Sequence, residues 1–356
     1  MRVVDAIRFT KCDFRHSACM GAIMPSSAIS LPDASMRIIA VAKVSLLVLA
    51  LVAGFARAAT VSEAREWLDL KDTRAAAAIV ALAKAEPKNA DVKVLWVRIL
   101  LQQGEVKKAL DVAKDAVDLA PNNAQTHYWL GNAYGNRVGQ VGMISKMLIA
   151  PKLRSAFEQA VALDPDLVDA RNSLVDFYLQ APSAMGGSID KAKAQVAQIA
   201  TRDVALGHSA NARLLLAEDK PEEALAEMEA AHAGKPEEKR YRLNLGLAYQ
   251  QAEKWEQAFA LFQAWVDEDE GASSAWYQLG RTSALSGLQV DTGIAALQHY
   301  LSVPIAAGQP EAQHAWFRLG QVFAYAGRKD EARSAFQKAL ELDSRHAEAK
   351  AALAKL

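Results

Sequence analysis

Hydrophobic residues recur at intervals of three and four along most of the chain after residue 60, in short stretches separated by polar turns. This spacing is typical of α-helices that bury one apolar face. Prolines follow the second helix of several predicted pairs, at Pro87, Pro121, Pro165 and Pro236. Two helices joined by a short turn cannot bury their apolar faces alone, so consecutive pairs must stack on one another. The pattern therefore predicts an all-α solenoid of stacked helix pairs.

A Leu-Gly dipeptide recurs in the first helix of four pairs, and 34 residues separate Gly246 from Gly280. The four dipeptides are Leu130-Gly131, Leu245-Gly246, Leu279-Gly280 and Leu319-Gly320. We expect each glycine to let the second helix approach closely, and a small residue there to fill the matching contact. That residue is expected at Ala109, Ala224, Ala258 and Ala332. Twelve residues after the last three glycines come Ala258, Thr292 and Ala332, and four residues further come Phe262, Ala296 and Phe336. Left-handed turn glycines are expected at Gly104, Gly287 and Gly327.

These repeats resemble the tetratricopeptide-repeat family, whose 34-residue period and Leu-Gly pattern they follow. The cleanest copy comprises Trp316, Leu319, Gly320, Phe323, Gly327, Ala332, Phe336 and Ala339. The resemblance implies a right-handed α-solenoid over residues 59–356, with a degenerate helix pair at 62–85 and a C-terminal capping helix at 346–356. Seven full repeats are expected to start near Ala90, Ala124, Val168, Ala205, Lys239, Ser273 and Gln313.

The N-terminal region has the features of an export signal. Arg37 and Lys43 precede the apolar run VSLLVLALVAGF at 44–55, and an Ala-x-Ala site ends at Ala58. Because twelve apolar residues are short for a bilayer span, residues 36–58 are predicted to be a cleaved signal peptide. An uncleaved anchor is the alternative. The protein is then expected in the periplasm or outside the cell, with no transmembrane span after cleavage. Residues 1–35 are predicted to be a disordered extension preceding the true start at Met36.

Composition and motifs argue against several functional classes. Formal net charge is zero, so the basic excess of a nucleic-acid-binding protein is absent. Both cysteines precede residue 20, so the mature chain would have no thiol nucleophile or cysteine metal site. No H-E-x-x-H, G-x-S-x-G or P-loop pattern occurs. We therefore expect no enzymatic activity, catalytic residue, metal or cofactor.

Two segments depart from the 34-residue period. Ten residues are inserted near 136–152, where Asp118 and Glu158 are separated by a stretch without acidic residues. The basic residues here are Arg137, Lys146, Lys152 and Arg154. The favoured interpretation is two longer helices whose apolar residues pack together; the alternative is a basic, adaptable surface for an anionic partner or a membrane face.

The second departure is the loop QAPSAMGGSI at 180–189, interpreted as a structural turn, with an anion site before the next helix as the alternative. Together the insertion and the loop resemble an exported bacterial type of tetratricopeptide-repeat protein.

The family resemblance also implies that the first helix of each pair lines a concave groove. Residues two positions before and after the core leucine then project towards that groove. They are Tyr128, Asn132, Asn136, Asn172, Asp176, Arg213, Tyr277, Arg281, Phe317 and Gln321. Amides, arginines and aromatic rings are suited to an extended peptide. The expected function is a non-catalytic scaffold or adaptor binding a protein or peptide. The alternative is an accessory subunit binding an envelope polymer, with Tyr128, Tyr277 and Phe317 stacking on sugars.

Overall fold

A computed structural model describes residues 59–306 and 308–356, so the predicted signal peptide and the preceding extension lie outside the described residues. The described residues form seventeen α-helices and no strand. The first eight are α1 Val61–Asp69, α2 Arg74–Ala85, α3 Ala90–Gln102, α4 Val106–Leu119, α5 Ala124–Val138, α6 Met143–Leu163, α7 Val168–Gln180 and α8 Ile189–Ala200. The others are α9 Val204–Ala217, α10 Pro221–Gly234, α11 Lys239–Gln251, α12 Trp255–Glu268, α13 Ser273–Ser286, α14 Val290–Ser302, α15 Ala312–Tyr325, α16 Lys329–Leu342 and α17 Ala347–Leu353.

Each odd-numbered helix from α1 to α15 packs against the even-numbered helix that follows it, and each pair stacks on the next. The first helices of several neighbouring pairs also contact one another directly, as α13 and α15 do, whereas successive second helices have at most marginal contact. The chain must therefore curve with its first helices on the inside. We call the surface formed by the odd-numbered helices the inner surface. The predicted all-α solenoid is confirmed.

The Leu-Gly glycines allow the close approach that the sequence predicts. A Cβ on Gly131 would lie 2.4 Å from Phe157, and one on Gly320 would lie 2.6 Å from Phe336, so neither site has room for a side chain. Ala109, Ala224, Ala258 and Ala332 are fully buried on the second helices. The turn glycines Gly104, Gly287 and Gly327 have φ near +70°, as expected.

In the pair α13–α14 the contact is displaced by one residue from the spacing of the other copies. Gly280 is packed against Leu297, the residue after Ala296, and Gly293, the residue after Thr292, is packed against Ser283. The reason is that α13 continues one residue further beyond its Leu-Gly glycine than α11 does. Seventeen residues therefore separate the two contacting positions, where sixteen separate Gly246 from Phe262.

The ten-residue insertion lengthens α5 and α6, as the favoured interpretation predicts, but four of its apolar side chains remain exposed. Met143, Ile144, Met147 and Leu148 are 65%, 78%, 55% and 67% exposed. They occupy the first two turns of α6, before Pro151. The burial expected of these four side chains from the sequence is therefore corrected.

The N-terminus of α9 offers a test of how caps stabilise this fold. The Asp203 carboxylate accepts a hydrogen bond from the Leu206 amide (3.0 Å) and lies 2.6 Å from Lys235 Nζ. Partial burial favours the neutral acid, but Lys235 and the amide outweigh it and hold the pKa of Asp203 below its usual value. Because the folded-state pKa is lowered, the stabilisation is complete above the unfolded-state pKa and is lost as pH falls through the folded one.

Asp203→Ala is expected to lower the free energy of unfolding by about 1–2 kcal/mol at pH 7 and by less at pH 3. Urea denaturation at the two pH values measures this. Asp203→Asn keeps the cap and loses the ion pair, so its cost should be smaller. An alanine variant with the same deficit at both pH values would contradict the carboxylate's role.

Candidate functional site

The inner surface carries a polar contact between α7 and α9 made by three residues that the sequence selects. Arg213 donates to Asp176 Oδ1 at 2.6 Å and also to Asn172 Oδ1. Burial raises the pKa of Asp176, and the nearby guanidinium of Arg213 opposes that effect. The structure therefore brings Asn172, Asp176 and Arg213 together as one hydrogen-bonded group that joins two neighbouring pairs.

A second group joins α11 to α13. Arg281 donates to Gln250 Oε1, and Gln250 Nε2 donates to Thr282 Oγ1 at 2.8 Å and to the Gln278 carbonyl at 3.1 Å. Burial lowers the pKa of Arg281, and the neighbouring Arg318 adds to the effect. Sequence reasoning finds Arg281 but misses Gln250. The missed signal is that Gln250 lies one helical turn after Gly246, on the side that faces the next pair.

On α5 the predicted residues form a continuous row. Asn132 Nδ2 donates to the Tyr128 carbonyl at 2.9 Å, and Asn136 Nδ2 donates to the Asn132 carbonyl at 3.0 Å. The Tyr128 ring is half-buried, with its centroid 6.0 Å from that of Phe157, and burial raises the pKa of its hydroxyl. Tyr128 therefore supports the inner surface more than it projects from it.

Two of the predicted groove aromatics are buried, which corrects the sequence-based placement. Tyr277 and Phe317 are only 6% and 7% exposed, and they belong to the core of the last pairs. Their rings pack against Tyr300 and Phe336, with centroids 5.3 and 5.9 Å apart. Gln321 remains partly exposed and accepts a hydrogen bond from Arg318 at 2.9 Å. The coplanar exposed rings that sugar stacking requires are therefore not formed by Tyr128, Tyr277 and Phe317.

A cavity of about 460 Å³ opens on the inner surface between α5, α6, α7 and the loop after α7. Its apolar floor includes Leu153, Phe157 and Phe177, which are buried in one core cluster. Its polar side chains include Asn132, Asn136, Lys146, Ser173, Asp176 and Gln180. An apolar floor with a few polar groups around it is the usual character of a ligand site.

Both departures from the repeat period contribute walls to this cavity. Met143 and Lys146 come from the insertion, and Pro182 and Met185 come from the Gly-Gly loop. The loop's shape depends on its glycines, because a Cβ on Gly187 would lie 1.8 Å from the Ala181 carbonyl oxygen. Sequence reasoning treats the two segments separately and misses the cavity.

The four basic residues of the insertion do not converge on one point. Lys146 lines the cavity, whereas Lys152 is exposed on α6. Arg154 Nε lies 3.6 Å from Glu158 Oε1. The Arg154 guanidinium also packs against Gly186, where an added Cβ would lie 2.2 Å from Arg154 Nη1. Arg137 lies 3.5 Å from Gln140 Oε1. One ammonium group is therefore left at the cavity.

Within residues 59–306 and 308–356, no three His, Cys, Asp or Glu side chains are grouped so that they could hold a metal ion. In the same described part, no helix has the length and apolar character needed to cross a membrane. The inner surface thus offers hydrogen bonds, ion pairs and an apolar cavity, which are means of binding.

Three family models match separate parts of the chain. Two described as tetratricopeptide repeat match residues 313–346 and 209–281, and one described as TPR repeat matches residues 98–137. No curated protein gives a significant match to the sequence.

Solved structures share the fold. A chain of the APC/C hetero-tetramer Cut9-Hcn1 is 17% identical with a TM-score of 0.51, over 78% of this chain and 51% of that one. This chain thus spans about half of that relative's length. The human IFIT1 dimer with PPP-AAAA is 16% identical with a TM-score of 0.53, over 86% of this chain and 79% of that one. Likeness at this level of identity establishes the solenoid and nothing about ligands.

Proposed function

This chain belongs to the tetratricopeptide-repeat family, whose members act as scaffolds for protein interactions, and we propose that it is such a non-catalytic scaffold. It would bind an extended peptide segment of a partner protein on its inner surface. The cavity between α5, α6 and α7 carries the proposal, because it is continuous with the polar rows of the inner surface. It would accept one bulky apolar side chain of the segment.

The chemistry around the cavity suits a peptide. Leu153, Phe157 and Phe177 would exclude water from an apolar side chain, which is the largest favourable contribution such a contact can make. Asn132 and Asn136 carry amide groups that can both donate to and accept from a peptide backbone. The Asp176–Arg213 pair is already neutralised, so a neutral backbone can lie along it without leaving a charge unpaired.

We also propose that the scaffold acts after export, in the periplasm or outside the cell. The apolar run at 44–55 with Arg37, Lys43 and the Ala-x-Ala site supports this proposal. Cleavage after Ala58 would be measured by N-terminal sequencing of the protein recovered from the cell envelope.

Gly135→Leu separates binding from folding. Gly135 lines the cavity, and a Cβ there would be 3.6 Å from Leu153 Cδ1, so a leucine fits and extends into the space that a ligand would occupy. Leucine is also the better helix former, so the fold should be retained. A peptide selected from a random displayed library against the wild-type chain should bind the variant at least about tenfold more weakly by fluorescence anisotropy.

Gly139→Leu is the matched control, because Gly139 is exposed at the end of α5 and does not line the cavity. Its affinity for the same peptide should stay within about twofold of the wild type. If no peptide is selected, or if both variants bind equally well, the cavity is not the anchor site and the proposal fails.

A further inference from the structure

The first two turns of α6 carry an apolar patch that faces away from the protein core. It consists of Met143, Ile144, Met147 and Leu148, and each side chain is more than half exposed. Met143, at one edge of the patch, also lines the cavity. At about 100° per residue, the four side chains cover an arc of about 140°, centred about 130° from the side of Leu153 and Phe157. A helix face in that direction is normally polar, so this patch is not explained by packing within the chain.

Positive charge borders the patch. Lys152 is four residues from Leu148, which is the spacing of neighbouring side chains on a helix, whereas Lys146 lines the cavity. No acidic residue lies between Asp118 and Glu158. The charge complement of this surface is therefore anionic.

We propose that the N-terminal part of α6 docks on an anionic lipid surface. The apolar patch would enter the headgroup boundary, and the exposed Lys152 would lie among the phosphates, as in helices that bind at membrane interfaces. A ridge of flexible methionine and leucine side chains suits a fluid surface, which needs no complementary shape. A protein partner would more often require a recess, and here the side chains project outwards. Ile144, Met147 and Leu148 do not line the cavity, so this inference does not depend on the proposed peptide site.

Hydrogen–deuterium exchange on the full chain tests the inference, because it reports protection separately for each segment of the chain. Vesicle binding by the apolar run at 44–55 therefore does not obscure the result for α6. Phosphatidylglycerol vesicles are expected to slow amide exchange in residues 145–150 at least about threefold, whereas phosphatidylcholine vesicles leave it unchanged. Ile144→Ser/Leu148→Ser should abolish the slowing. Leu70→Ser/Leu342→Ser, which removes two comparably exposed leucines elsewhere, should retain it.

Charge is tested in the same way. Lys152→Glu should remove most of the slowing, and Lys107→Glu, an exposed lysine on α4, should preserve it. The inference is overturned if vesicles leave residues 145–150 unchanged, if neutral vesicles act equally, or if the double serine variant is still protected. It is also overturned if light scattering shows a dimer that this variant dissociates, because a second copy then covers the patch. Peptide binding by the same variant reports separately on the cavity.

Discussion

Gly246→Val is expected to destabilise the chain by about 3 kcal/mol, because there is no space for a side chain at this contact. A Cβ on Gly246 would lie 2.2 Å from Cζ of Phe262, a fully buried ring on α12. Phe262 belongs to one buried cluster with Phe259, Trp265 and Leu279 of the next pair, so displacing its ring would disturb that pair as well. The loss should appear in urea unfolding and as faster amide exchange in α11 and α12, since stability in a solenoid is built from neighbouring interfaces.

A double-mutant cycle identifies the cause. Phe262→Ala alone should cost about 3–5 kcal/mol, since it leaves a cavity. Adding Gly246→Val to it should cost little more, because the removed ring makes room for the valine. Gly139→Ala is the control, since Gly139 has φ of −64° and a Cβ there meets nothing closer than 3.5 Å. Additive costs at Gly246 and Phe262 would show that the close approach is not what the glycine provides.

The contact between a Leu-Gly glycine and the second helix could be predicted from sequence because it lies within one helix pair. The number of residues between the glycine and its contact residue determines which side chain the glycine meets, and the local hydrophobic periodicity predicts that number. Even there, one additional residue at the end of α13 moved the contact from Ala296 to Leu297. Register is thus sensitive to helix ends, which sequence patterns define poorly.

Exposure on the inner surface was harder to predict. A helix position opposite the core leucine faces solvent in a two-helix hairpin, but in a solenoid the first helix is also covered by the next pair. Tyr277 and Phe317 lie on that covered side, and large rings reach far enough to join the core. Polar side chains with the same spacing, such as Arg281 and Gln321, remain partly exposed.

The cavity could not be predicted from either of the segments that form its walls. Lys146 and Met185 are far apart in sequence and belong to different pairs, so only the stacking of α5–α6 on α7–α8 brings them together. Two irregularities in adjacent pairs are, however, a sequence signal. Where insertions interrupt neighbouring repeats on the same side, we expect them to meet.

Gln250→Met is expected to lower the free energy of unfolding by about 2–3 kcal/mol, although methionine has nearly the same volume and is apolar. The change removes the donor to Thr282 Oγ1 and the Gln278 carbonyl, and the acceptor for Arg281. Thr282 is fully buried, so water cannot replace the lost hydrogen bond. Arg281 is already disfavoured as a cation by burial and by Arg318, and would lose its acceptor.

Removing both partners of the buried bond should cost less than the sum of the single changes. In Gln250→Met/Thr282→Val neither side chain is left with an unsatisfied polar group, and two apolar groups of similar shape take their place. Urea denaturation of the wild type, the two single variants and the double variant gives the coupling energy, which we expect to be about 1–2 kcal/mol. Amide hydrogen exchange in α11 and α13 should be faster in Gln250→Met than in the wild type, and its rate should return partly towards the wild-type value in Gln250→Met/Thr282→Val. A Gln250→Met variant within about 0.5 kcal/mol of wild type would mean that packing alone joins these two pairs, because the hydrogen bonds would then contribute nothing net to the interface.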